Sequence, residues 1–239
     1  MALPSLSFLS LRPTQRPAEE WRELCGGQLP SFPKWGSTRV KRRFRELVDK
    51  SENDRFSGGQ YNLPYTNLDI DTVIADGNYS VEHILPRSMV NGRRPGKAED
   101  DWFAWDMSHR NENSRRSNLP LCLWPNILKT GRVFIQGQLH FNPPDTHRDR
   151  LARRWLYARV TYAEIDTLDD PSQAQCEHAD EIVELVRTSK MGFAERRLHA
   201  SLIESVGGVG GRWRNPLCEP DSEGFERALV LARRLAFPC

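Results

Sequence analysis

Val40, Phe44, Leu47 and Val48 recur at i, i+4, i+7 and i+8, the apolar stripe of a helix whose other face carries Arg39, Lys41, Arg42, Arg43 and Arg45. Ile70, Val73 and Ile74 precede an Asp76-Gly77-Asn78 turn, and residues 79–85 are rich in β-formers. The pattern predicts strand, turn, strand, stopped by Pro86. A polar stretch with Gly and Pro, 91–101, leads into the aromatic run 102–105, and residues 109–118 are dense in charge and amides. Val133-Phe134-Ile135 and Leu139-His140-Phe141, parted by Gly137, predict a hairpin. Asp145 is placed to cap a helix with Leu151, Trp155, Ala158 and Tyr162 on one face. Three more helical stripes follow: Ala179/Ile182/Val186, Leu198/Leu202/Val206 and Phe225/Leu229/Ala232. The fold class is therefore α+β, a mainly helical single domain with one small sheet in its middle.

A length of 239 residues is enough to bury a proper core. No run approaches the ~18–20 apolar residues of a membrane span, so a soluble chain without a membrane partner is expected. Met1 to Pro17 has no acidic residue and contains LPSLSFLSL. It shows neither the basic start nor the cleavage site of a secretory signal. Arg12 and Arg16 among serines are compatible with organellar targeting, and a plain N-terminal tail is the simpler reading. Gly26, Gly27, Pro30, Pro33 and Gly36 then read as a linker. Residues 1–36 are accordingly expected to be an extension or targeting segment, and 37–239 the domain.

Cys25, Cys122, Cys176, Cys218 and Cys239 are scattered without a CxxC pair. An odd count without a signal favours a reduced, intracellular setting, with one or two disulfides still compatible. Cys122, Cys176, His178 and Cys218 could assemble a structural zinc, although their spacing resembles no zinc knuckle. Scattered core thiols are the simpler reading.

A formal net charge of +2 argues, taken alone, against a chain devoted to nucleic acid, but it conceals an asymmetry. Residues 87–159 hold 14 basic and 7 acidic side chains, an excess of +7, whereas 160–184 hold eight acids and no Lys or Arg. A basic surface beside an acidic segment suits a polyanion-binding face, and solvated helix faces give the same counts. Trp102, Phe103, Trp105 and Trp124 are expected in the core, base stacking being the other use for such residues.

Two segments carry candidate chemistry. The first, Tyr79 to Ser88, embeds the ionisable pair Glu82-His83 in a strand-like run that Pro86 ends. In the second, Asn113-Ser114-Arg115-Arg116-Ser117-Asn118, Asn113 and Arg116 share a helix face at i, i+3. Phosphodiester hydrolysis needs a base near neutrality, oxygen ligands for a hard cation and a cationic fork for phosphate. His83, Glu82 with Asn113, and Arg116 supply one of each.

These segments resemble those of His-Me finger (ββα-metal, HNH superfamily) nucleases, most closely the bacterial endonuclease I family. That family has Glu-His-hydrophobic-hydrophobic-Pro, matched by residues 82–86, and Asn-x-x-Arg-Ser-Asn, matched by 113–118. Its Ala-Arg-x-x-x-Tyr helix is similar to Ala152–Tyr157. Its Arg/His-Asn-Pro-hydrophobic step is matched by Arg214–Leu217. The family's Asp-x-His-Asn-Leu-x-Pro step is shorter here, Asp106 to Asn111, and lacks the proline, which makes His109 and Asn111 second-rank ligands. Family members are typically exported and disulfide-bonded, which this N-terminus and cysteine pattern do not support.

The resemblance implies a metal-dependent endonuclease with a one-metal mechanism and little sequence specificity. DNA is favoured over RNA as its partner. His83 would be the general base; Glu82 and Asn113 would hold one Mg²⁺, Mn²⁺ or Ca²⁺ per site; Arg116 would brace the helix or contact phosphate. Arg87, Arg115 and Arg153 would face nucleic acid, Arg153 being equally readable as a solvated helix residue. The alternative is a catalytically inactive nucleic-acid-binding module on the same fold. Glu82 and His83 point to opposite faces of a regular strand, so a bend or bulge is expected where both reach one site.

Overall fold

Pro144, with its fixed φ, sets the entry to α6 (Asp145–Tyr162), and every residue from Arg150 to Tyr162 is buried. Asp145 is the first helical residue rather than the cap, and its carboxylate meets the Arg148 guanidinium at 2.6 Å. Around α6 pack α1 (Pro17–Leu24), α8 (Ala179–Thr188) and α10 (Phe225–Ala236), with the 3₁₀ turns Trp102–Ala104 and Pro216–Cys218 against its remaining sides. To one side, α2 (Thr38–Glu52) packs on α9 (Phe193–Val206). This computed structural model describes residues 17–33, 38–52, 62–66, 68, 70–89, 97–127, 129–163, 168–206 and 212–239. Among them no helix is long and apolar enough to cross a membrane.

The chain is α+β, but among the described residues the strands form two separate antiparallel pairs rather than one sheet. β1 (Tyr79–His83) pairs with β2 (Trp105–His109), Glu82 opposite Asp106 and His83 opposite Trp105. β3 (Gly131–Ile135) and β4 (Gln138–Asn142) form the expected hairpin. Its two-residue turn holds Gln136 at φ 49° and Gly137 at φ 79°, the doubly left-handed geometry that suits the strands' twist. The strand expected before Asp76 is instead a helix, α3 (Ile70–Ala75). Ile70, Val73 and Ile74 stand at i, i+3, i+4, and burying that face outweighed their β-branched preference for strands.

The expected boundary at residue 36 moves. Helix α1 buries Trp21 to 1% exposure, and its indole N–H donates to Thr161 of α6 at 3.0 Å. Cys25 and Phe32 are buried as well, and the Cys25 carbonyl accepts from the Arg214 N–H. Gly26 sits at φ +102°, where an added Cβ would lie 1.9 Å from the Arg212 carbonyl oxygen, so only glycine fits that crossing. Residues 17–33 thus belong to the domain; the targeting reading rests on 1–16, which lie outside the described residues.

Cys176 forms a disulfide with Cys239, closing the C-terminus onto α7 (Gln173–Glu177), while Cys25, Cys122 and Cys218 are buried free thiols. The pairing removes Cys176 from any zinc set. Among the described residues no three His, Cys, Asp or Glu side chains converge on a common point.

Six of the 14 basic residues that made 87–159 look like a cationic surface are buried: Arg116, Arg148, Arg150, Arg153, Arg154 and Arg159. Their charges are spent inside. Arg150 meets Asp106 at 3.2 Å, tying β2 to α6, and Arg154 donates to the Trp105 carbonyl. Arg153, 1% exposed, is bound by Glu195, Asp149 and Ser189, so it faces neither nucleic acid nor solvent. Buried guanidinium groups need such partners because desolvation is otherwise prohibitive. Asp101, fully buried, accepts from the Tyr157 and Tyr162 hydroxyls at 2.7 and 2.8 Å and from the Phe103 N–H. Burial still pushes its carboxyl up to about 6.

His199 joins α9 to the Arg214–Leu217 segment. Its Nε2 accepts the Asn215 N–H at 3.2 Å, and burial, reinforced by Arg154 and Arg214, lowers its pKa to about 3. The neutral ring is therefore the folded form. Above the unfolded value of about 6.5 the group contributes nothing to pH dependence. As pH falls from there to about 3 the unfolded chain takes up the proton and the fold loses up to about 5 kcal/mol. Urea unfolding of wild type and His199→Gln between pH 7 and pH 4 should show a shallower acid loss in the variant; equal slopes would remove His199 from the account.

Candidate active site

Strand β1 ends on His83 because the chain bends at Ile84–Leu85 ahead of Pro86, and no bulge interrupts the register with β2. His109 closes β2 and caps α5 (Arg110–Arg116), its Nδ1 accepting the Asn111 N–H at 3.2 Å. Helix α5 then packs back on both strands. The outcome is a strand–strand–helix unit in which β1 and α5 wall a cleft of about 190 Å³, lined by Glu82, His83, Pro86, Asn113, Arg116, Ser117 and Asn118. Four of the predicted residues, His83, Glu82, Asn113 and Arg116, therefore meet at one place. The bend at the strand's end resolves the opposite-face problem: His83, as the last strand residue, reaches the same opening as Glu82.

Glu82 is 1% exposed. Its Oε1 accepts from Arg116 Nη1 at 2.6 Å and from the Tyr65 hydroxyl at 2.9 Å. Burial raises its pKa, while Arg116 and the Tyr65 hydrogen bond act downward against it and Asp106 adds to the rise. Both hydrogen bonds fall on the same oxygen. The other oxygen, Oε2, is the one left to serve the cleft.

Asn113 is held the opposite way round. Its Nδ2 donates to Ser80 Oγ at 2.9 Å and to the Val81 carbonyl at 3.2 Å. A backbone carbonyl can only accept, so the amide orientation is fixed by chemistry and Oδ1 is turned from the strand. His83 is half-buried, its ring edge-on to Trp105 with centroids 5.6 Å apart and planes at 67°.

Arg116, 2% exposed, spends its guanidinium on Glu82 and on the His83 and Ile84 carbonyls, at 3.0 and 2.8 Å. Of the two roles foreseen for it, bracing the helix is the one this geometry allows. Arg115 is exposed and pairs with Glu112 at 2.8 Å, remaining on the surface beside the cleft. Arg87 opens the 3₁₀ turn Arg87–Met89, and its side chain lies outside the described residues. Ser117, at φ 51° and ψ −131°, holds a backbone conformation rare for L-residues where α5 ends at the cleft.

Two other matched segments are structural. Arg153 is buried as described, and Asn215 caps the Pro216–Cys218 turn by accepting the Leu217 N–H at 3.0 Å. His109 is a helix cap and Asn111 is exposed, and neither lines the cleft. Trp102, Phe103, Trp105 and Trp124 are all buried, as expected for core. Sequence reasoning missed Tyr65 and Ser80, which hold the two oxygen donors.

The donor set suits a hard divalent cation. A carboxylate oxygen and an amide carbonyl, completed by waters, are what Mg²⁺ accepts, and the cleft has room for several waters at ~30 Å³ each. Compared with known proteins, the chain matches no protein-family model, no curated protein and no solved structure.

Proposed function

We propose that this protein is a metal-dependent endonuclease that hydrolyses phosphodiester bonds of nucleic acid, with DNA favoured over RNA and little sequence specificity. The observation that carries the reading is the meeting of an imidazole, a carboxylate and an outward-turned amide carbonyl in one cleft of a strand–strand–helix unit. That order of elements, with His83 at the end of the first strand and Asn113 on the helix, supports a relation to the His-Me finger nucleases, the endonuclease I family in particular.

In this mechanism the neutral His83 ring takes a proton from a water molecule as the water's oxygen bonds to phosphorus and the phosphorus bond to the leaving oxygen breaks, the leaving oxygen taking a proton from solvent. The edge contact with Trp105 restricts the ring's rotation. Glu82 and Asn113 would hold a single Mg²⁺, with Mn²⁺ or Ca²⁺ as substitutes, and the ion would offset charge gathering on the phosphate and the leaving oxygen. Arg116 keeps β1 and α5 at a fixed separation, and Arg115 offers an exposed guanidinium to the nucleic-acid backbone.

The test is cleavage of supercoiled plasmid, single-stranded DNA and RNA with Mg²⁺, with EDTA, and with excess Mg²⁺ restored. Nicking should disappear with the chelator and return with the ion. Cleavage indifferent to EDTA would sink the role of Glu82 and Asn113. Salt-dependent binding without cleavage under Mg²⁺, Mn²⁺ or Ca²⁺ would mark a silent binding module instead.

A further inference from the structure

We infer that Tyr65 and Ser80 are positioning residues that aim the two oxygen donors of the cleft, an inference that rests on the metal-dependent reading above. Tyr65 lies outside the segments that suggested the site, Ser80 was given no role within its segment, and neither lines the cleft. Each makes one side-chain hydrogen bond to a residue that does.

A glutamate carboxylate turns easily about its last torsion, whose well is broad and roughly two-fold. Glu82 meets two donors on the same oxygen: Arg116 from helix α5 and the Tyr65 hydroxyl from the 62–66 segment. Two donors from separate parts of the fold fix the carboxylate plane, where either alone would let it swing. Tyr65 is itself held, buried to 6% exposure with its ring against Phe141 at 5.0 Å between centroids.

Ser80 does the corresponding work for Asn113. With Ser80 Oγ and the Val81 carbonyl both occupied by Nδ2, the amide presents its carbonyl oxygen away from β1. Losing the hydroxyl leaves the longer of the two bonds alone, and the amide is freer to rotate. Groups that orient ligands in this way typically change metal affinity by about 10–100-fold when removed.

The experiment is equilibrium binding of Tb³⁺, read by tryptophan-sensitised luminescence and repeated as Mg²⁺ competition, without substrate. Wild type, Tyr65→Phe, Ser80→Ala, Ser80→Thr, Glu82→Gln and Asn113→Ala are compared. Tyr157→Phe serves as a control that loses a buried hydroxyl remote from the cleft. Tyr65→Phe and Ser80→Ala should each weaken binding about tenfold or more, while Ser80→Thr, which keeps the hydroxyl, and Tyr157→Phe should bind as wild type does. Circular dichroism confirms the fold of each.

Wild-type affinity in Tyr65→Phe and Ser80→Ala, with binding lost in Glu82→Gln and Asn113→Ala, would overturn this inference and leave the metal site standing. Absence of binding by wild type, or binding untouched by Glu82→Gln and Asn113→Ala, would overturn the metal-dependent reading itself and this inference with it.

Discussion

His83→Ala is expected to lower metal-dependent cleavage by about 10²–10⁴-fold, the usual worth of a positioned general base, while the protein stays folded. The side chain is half-buried at a strand end, with its ring edge-on to Trp105. Truncation removes that aromatic contact, worth about 1 kcal/mol, and leaves the Arg116 bond to the His83 backbone carbonyl in place. Plasmid nicking rates alongside thermal melts separate the two effects. Added imidazole offers a further check, because a small base diffusing into the vacated space should restore part of the rate. A variant that nicks as fast as wild type would end the assignment of His83 as base.

Arg116→Ala should have the largest effect on stability, about 3–5 kcal/mol, because it strands a buried carboxylate. Glu82 would keep only the Tyr65 hydroxyl, and the His83 and Ile84 carbonyls would each lose a donor. The loss should depend on pH in a definite sense. Arg116 is the largest influence holding the Glu82 pKa down against burial, so without it the folded value climbs further above the unfolded one. A raised folded pKa favours the protonated fold, so the deficit is smallest at acid pH and grows as pH rises through the folded value. The double variant Glu82→Gln/Arg116→Met should be less destabilised than Arg116→Ala alone, since no charge is then left unpaired. Urea unfolding at pH 7 and pH 5 measures both; a cost under about 1 kcal/mol would mean the clamp does not hold β1 to α5.

The site was more legible than its support. Glu82, His83, Asn113 and Arg116 declare themselves because two short segments concentrate unusual residue types, and strand and helix periods place them. The hairpin announced itself through Gly137, and Trp102, Trp105 and Trp124 went to the core as aromatic residues ordinarily do. Pairings between distant residues left no such trace. Nothing near Arg153 in sequence reveals Glu195, and nothing near Glu82 reveals Tyr65, 17 positions earlier. For the same reason a count of basic residues overstated the cationic surface, since six of the 14 are buried: a residue type reports its charge but not the carboxylate that swallows it. Ile70–Ala75 failed differently, since β-branched residues at helical spacing send opposite signals and tertiary burial chose between them.

Helix α1 also bears on where the chain can be shortened. A protein begun at residue 37, the point its glycines and prolines suggest, would leave a hole the size of an indole between α6 and α10. It would also strand the Thr161 hydroxyl and unseat the Cys25–Arg214 backbone bond. Losing a buried tryptophan alone costs about 3–5 kcal/mol, much of a typical domain's margin. Purification tags and fusion partners therefore belong upstream of Pro17, where they leave that wall of the molecule standing.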